Sequence, residues 1–156
     1  MPVGCSKDSQ EEMEMRVLIL AKESEQSQTA TPPTAEAMAE HQKFNEELVK
    51  AGVVVGSGRL SPSAQGKRVR FEGKKRTVLD GPFAETKELV AGYWIIQAKS
   101  KDEAIQWAKG IPFADGEEVE LRQVFEPEDF PADVLPPKEA AREQAWRAEQ
   151  QRKSKP

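Results

Sequence analysis

Apolar and polar positions alternate over Met15 to Lys22 (MRVLILAK). Met15, Val17, Ile19 and Ala21 fall on one face, and Leu18 and Leu20 on the other. A period of two predicts a strand, and apolar side chains on both faces predict one covered on both sides. A polar loop, 23–33, ends in Pro32-Pro33. The period then changes. Ala37, His41, Phe44 and Leu48 share one face of a helix predicted over Thr34 to Ala51, flanked by Met38, Asn45 and Val49. Thr34 fits the N-cap, Glu36 suits the positive end of the dipole, and Gly52 fits the stop. Val53 to Leu60 (VVVGSGRL) predicts a second strand. Its Gly56-Ser57-Gly58 reads as a bulge or a close backbone approach. A phosphate cradle would need the following Gly-Lys-Ser/Thr and a helix to open.

Past a surface loop at Ser61 to Gly66, Lys67 to Phe71 and Lys75 to Leu79 flank Glu72-Gly73-Lys74 and predict a hairpin. Arg68, Arg70, Lys74, Lys75 and Arg76 make it locally basic, either as a solvated face or as a patch for a small anion. The best-marked stretch runs from Thr77 to Pro112. It holds a strand end, a turn at Asp80-Gly81-Pro82-Phe83 and a connector with Glu85, Lys87 and Glu88. A strand from Tyr93 to Lys99 and a helix from Lys101 to Lys109 follow. Trp94, Ile96 and Ala98 line one strand face, Tyr93 and Ile95 the other. Ser100 with Glu103 forms a capping-box pattern, and Gly110 with Pro112 the stop. A fourth main strand, Glu117 to Glu126, alternates Val119, Leu121, Gln123 and Phe125 with Glu118, Glu120 and Arg122, so one face is wet. After a Pro-rich linker, Lys138 to Lys153 is helical by propensity, with Trp146 its one large apolar residue.

These boundaries give a leader over 1–13, read as disordered, a folded domain over 14–130 and a charged, partly helical tail over 131–156. The order β, α, β, hairpin, β, α, β predicts an α+β fold of the ferredoxin-like, split βαβ type. The strands beginning at Met15 and Tyr93 are then central. Two helices cover one face of such a sheet, and the cheapest cover for the other is a second copy, so a homodimer is expected.

Composition narrows the function. A net charge of -4 leaves no basic footprint for nucleic acid. No apolar run approaches the ~18 residues of a membrane span, and the leader has no signal-peptide core. The lone Cys5 cannot form an internal disulfide, which suits a cytoplasmic, reducing compartment. One Cys and one His do not furnish a conventional zinc site, so no metal and no cofactor are expected.

Thr77-Val78-Leu79-Asp80-Gly81-Pro82-Phe83-Ala84-Glu85-Thr86-Lys87-Glu88, followed by Gly92-Tyr93-Trp94, resembles the DGPF-type branch of the YCII-related (YciI-like) family. The resemblance extends to Phe44-Asn45-Glu46-Glu47-Leu48 with Ala51-Gly52-Val53. It also takes in Arg122-Gln123-Val124-Phe125-Glu126 with Glu128-Asp129-Phe130, and covers roughly 15–130. It implies a dimeric α/β-barrel of ferredoxin-like subunits. Some relatives resemble muconolactone-type isomerases and chloromuconolactone dehalogenases, with a histidine–aspartate pair proposed for acid–base work. Others occur beside extracytoplasmic-function sigma factors, which implies a regulatory or accessory role.

Carried onto this chain, the pair is Asp80, the aspartate of the DGPF turn, and His41, the sole histidine. Each has a structural alternative: Asp80 as a turn cap, His41 as a satisfied core residue. Phe83, Tyr93 and Trp94 are either core or an aromatic wall for a small organic ligand. Arg59 and Arg68 can pair with a ligand carboxylate or solubilise the surface, and Glu85, Lys87 and Glu88 can form surface ion pairs. Two functions compete: a ligand-binding or accessory homodimer with a pocket near the DGPF turn, and an enzyme performing acid–base chemistry on a small anionic or lactone-like substrate.

Overall fold

A computed structural model describes residues 14–24, 32–84 and 88–154. The leader expected over 1–13, and Glu85 and Lys87 of the connector, lie outside them. The described chain forms two compact units, which divide between Arg122 and Gln123.

The first unit holds β1 (Met15–Lys22), α1 (Ala35–Ala51), β2 (Val54–Arg59), β3 (Lys67–Glu72), β4 (Lys75–Asp80), β5 (Val90–Ala98), α2 (Lys101–Lys109) and all but the last residue of β6 (Val119–Gln123). A four-stranded sheet has the order β2-β5-β1-β6, and β3 with β4 forms a separate two-stranded hairpin. The architecture is mixed α/β, as the pattern predicts. The long sheet is open, with β2 and β6 at its edges.

Antiparallel register sets Ile19 opposite Trp94, Val17 opposite Ile96 and Ala21 opposite Gly92. These side chains alternate in burial with their neighbours. Val17, Ile19, Trp94, Ile96 and Ala98 are buried with Phe44 and Leu48 of α1, Ala104 of α2 and Ile111. Each fully buried Ile or Leu here contributes about 1.5–3 kcal/mol. The opposite face is less closed: Leu18, Leu20, Tyr93 and Ile95 are all half-buried. Both central strands are therefore apolar front and back, but fully buried on the helix side only.

The helix ends explain the helix lengths. Thr34 Oγ1 accepts the Ala37 N–H at 3.1 Å, a cap worth about 1 kcal/mol. Gly52 ends α1 in the left-handed region at φ 70, donating its N–H to Leu48 and Val49 carbonyls. In α2, Ser100 Oγ accepts the Glu103 N–H, while Glu103 Oε2 accepts from Lys99, one residue before the N-cap the pattern pointed to. Gly110 differs from the left-handed stop it resembles. Its φ is -83, and the last turn closes through right-handed geometry.

Gly56-Ser57-Gly58 lies inside β2, where the register with β5 slips between Val54 and Gly56, a β-bulge. A Cβ on Gly58 would sit 3.0 Å from Tyr93 Cε1, so the glycine admits the tyrosine ring across the strand.

The second unit is built around its own contacts. Glu126 and Asp129 bracket a short 3-10 turn, Pro127–Asp129, as a capping box, and Phe125 meets Phe130 edge to face at 5.6 Å. The expected tail helix forms α3 (Pro137–Ser154). Arg147 ties it down, reaching Glu143 within the helix and both the Phe125 carbonyl and Glu126 outside it. Trp146 is largely exposed. Among the described residues, no helix is long and apolar enough to cross a membrane.

Candidate functional site

The residues singled out in the sequence occupy three places. The first is the helix side of the long sheet. His41, half-buried on α1, lies parallel to Trp94 of β5, with 4° between the rings and 6.4 Å between centroids. Phe113 lies beside both rings, tilted against each, at 5.5 Å from the imidazole and 6.1 Å from the indole, and Phe44 meets Trp94 edge-on at 5.9 Å. Trp94 is held in place by its indole N–H, which donates to Asn45 Oδ1 at 2.9 Å. Asn45 stands four residues beyond His41 on α1, so one helix turn positions both the imidazole and the anchor of the ring beneath it.

Arg59 ends β2 opposite Gly92, two residues from Trp94 along β5, and so lies on this same sheet face. It is exposed, and among the described residues no ion pair engages it. Burial pushes the His41 pKa below its usual 6.5, and the Arg59 guanidinium pushes the same way. Glu117 and Glu40 oppose them. The imidazole is therefore predominantly neutral at pH 7, with one nitrogen a donor and the other an acceptor. Neither nitrogen has a hydrogen-bond partner among the described residues.

The second place is the foot of the hairpin. Asp80 ends β4 opposite Lys67, and their side chains form an ion pair, 75% and 65% exposed. Such a pair contributes about 0–1 kcal/mol. Gly81 is wedged against the turn Ser63–Gln65: a Cβ there would lie 1.8 Å from the Ser63 carbonyl oxygen, and its N–H donates to the Gly66 carbonyl. The Gly81–Pro82 peptide is cis. Phe83 then packs near Gly66, with the Arg68 guanidinium 3.8 Å above its ring. Asp80, Phe83 and Arg68 are thus brought together as a joint that seats the hairpin.

The third place is the other side of the sheet. Tyr93 neighbours Trp94 in sequence, so it points away from His41 and lies against Gly58. Among the described residues, no hydrogen bond or ion pair joins His41 to Asp80.

Sequence reasoning missed Phe113, Glu117 and Glu23. Phe113 and Glu117 follow α2 in a loop, and the only available signal was an aromatic residue just past a Pro stop. Glu23 looks like the start of a polar loop, yet it continues the odd-numbered set Val17, Ile19, Ala21. It is 7% exposed, and among the described residues its Oε2 lacks a hydrogen-bond partner.

An uncharacterised protein from Rhizobium meliloti (strain 1021) is 29% identical over 120 residues, covering 74% of this chain and 97% of that protein. The YCII-related domain profile matches residues 15–128, spanning the long sheet, the hairpin and the His41–Trp94 stack. By that match, this chain belongs to the YCII-related domain family.

Proposed function

We propose that this protein is a ligand-binding or accessory homodimer of the DGPF-type branch. In this reading His41, Trp94, Phe113 and Arg59 receive a small organic anion. One observation carries it: a half-buried neutral imidazole, stacked on an indole, keeps both nitrogens unengaged among the described residues, beside an exposed guanidinium. A guanidinium suits a carboxylate through two parallel N–H donors, an aromatic wall suits an organic body, and a neutral imidazole adds one directional bond. The strand order β2-β5-β1-β6 is the order of a ferredoxin-like sheet and supports that assignment. The half-buried Leu18, Leu20, Tyr93 and Ile95 support packing of that face on a second copy. The single cysteine suits a reducing, cytoplasmic setting.

The test is an NMR titration of the one histidine with acetate, succinate and benzoate. Saturable shifts of the His41 ring signals are expected with at least one of them, weakened about tenfold or more by Arg59→Ala. Ring signals that stay still with all three sink the reading.

The same imidazole favours a second reading, lactone isomerase-like or dehalogenase-like acid–base chemistry, because a neutral unengaged ring can accept a proton. His41→Gln then abolishes turnover while leaving binding of the anion in place.

A further inference from the structure

We propose that the β3–β4 hairpin is an arm that docks through its outer face onto a second copy of this chain. The inference rests on the homodimer reading and names the part of each subunit that reaches across.

Register pairs Val69 with Val78 and Phe71 with Arg76, so these four side chains share one face of the hairpin. Val69, Phe71 and Val78 are 52%, 68% and 60% exposed. The other face carries Arg68, laid over Phe83, together with the half-buried Thr77 and Leu79, and is the seated side. A two-stranded hairpin is marginal by itself in water, and three adjoining exposed apolar side chains mark a surface made for contact. Arg76 lies 4.5 Å over the Phe71 ring and donates to the Gly73 and Lys75 carbonyls, so the centre of the patch is already ordered. An aromatic–arginine pair of this kind is a common interface anchor.

Charge selects the occupant. Residues 67–80 hold six of the chain's 23 Lys and Arg but two of its 27 Asp and Glu. The hairpin is therefore net +4 and the remainder of the chain net -8. Arm and remainder thus carry opposite net charge in each copy, and a two-fold axis makes the contact reciprocal, so each favourable pair occurs twice.

Sedimentation velocity of the full chain at micromolar concentration, in low salt and at about 0.5 M NaCl, reads the contact. The wild type is expected to be a dimer that weakens with salt. Phe71→Glu and Arg76→Glu, both exposed positions, are each expected to raise the dissociation constant about tenfold or more. Circular dichroism checks that they fold. A benzophenone cross-linker placed at position 71 of the otherwise unaltered chain is expected to yield a covalent product of twice the chain mass.

Variants that dimerise like wild type, with no cross-linked product, overturn the arm and leave the homodimer standing. A wild-type monomer overturns the arm and the homodimer together, whereas the ligand reading at His41 stands or falls on its own titration. Retention of the monomer on heparin through the hairpin assigns the patch to a polyanion and overturns the proposal as well.

Discussion

His41 and Trp94, 53 positions apart in the chain, lie ring on ring with 4° between their planes. Burial of the imidazole is the largest influence on its protonation. The folded chain thus holds His41 below 6.5, while the unfolded chain titrates near 6.5. Between those two values the unfolded state binds more protons, so stability rises with pH through that window and levels off above 6.5. Urea unfolding of wild type and His41→Gln across this range is expected to show the wild type losing stability relative to the variant as pH falls below 6.5. A difference that does not change with pH contradicts the assignment.

Arg59 and Glu117 act on His41 with opposite signs. Arg59→Gln is expected to raise the NMR titration midpoint of His41, and Glu117→Gln to lower it further. Because the chain has one histidine, its ring signals need no assignment by mutation. Shifts of the same sign in both variants contradict the placement of the two charges around the ring.

Gly81 and Gly56 give a matched pair of substitutions. A Cβ on Gly81 meets the Ser63 carbonyl oxygen, whereas one on Gly56 meets nothing within 4 Å. Gly81→Ala is expected to destabilise by about 3 kcal/mol or more, since backbone must move. Gly56→Ala is expected to stay within about 1 kcal/mol of wild type. Thermal unfolding of the two variants compares them directly.

Asn45 holds the Trp94 indole N–H. Asn45→Leu leaves that part-buried donor without its partner and is expected to cost about 1–3 kcal/mol. The red edge of the fluorescence spectrum, measured with Trp107 and Trp146 replaced by Phe, reports the altered environment of Trp94.

Glu23 presents the reverse case. Its side chain is buried with one oxygen unpartnered among the described residues, so Glu23→Met is expected to stabilise the chain by about 1–3 kcal/mol. Denaturant midpoints check the sign, and a loss of stability means the carboxylate is satisfied in solution.

Local rules made much of the fold legible. Thr34, Gly52 and Ser100 mark helix ends through bonds with near neighbours, and strand alternation exposes itself in any eight-residue window. The bulge at Gly56 follows from glycine in a strand for the same reason. The site was harder to read because its parts are distant in the chain. The alternation does separate Trp94 from Tyr93 across the pleat of β5, but it does not show that Phe113 and His41 come to the Trp94 side. The partner of Asp80 was hidden too, since cross-strand register sets it opposite Lys67, thirteen positions earlier in the chain. Glu23 was hidden by its polarity, although its position in the alternation pointed inward.

The hairpin joins two strands that are already neighbours. Leu60 donates its N–H to the Ala91 carbonyl at 2.8 Å, so the chain leaves the long sheet and returns to it at one spot. The described residues from Ser61 to Ala84 are in effect an appendage sprouting from a finished framework. Such an appendage can be lengthened, shortened or exchanged without disturbing how β2 and β5 meet, which makes it the natural part of this architecture to diversify from one protein to the next.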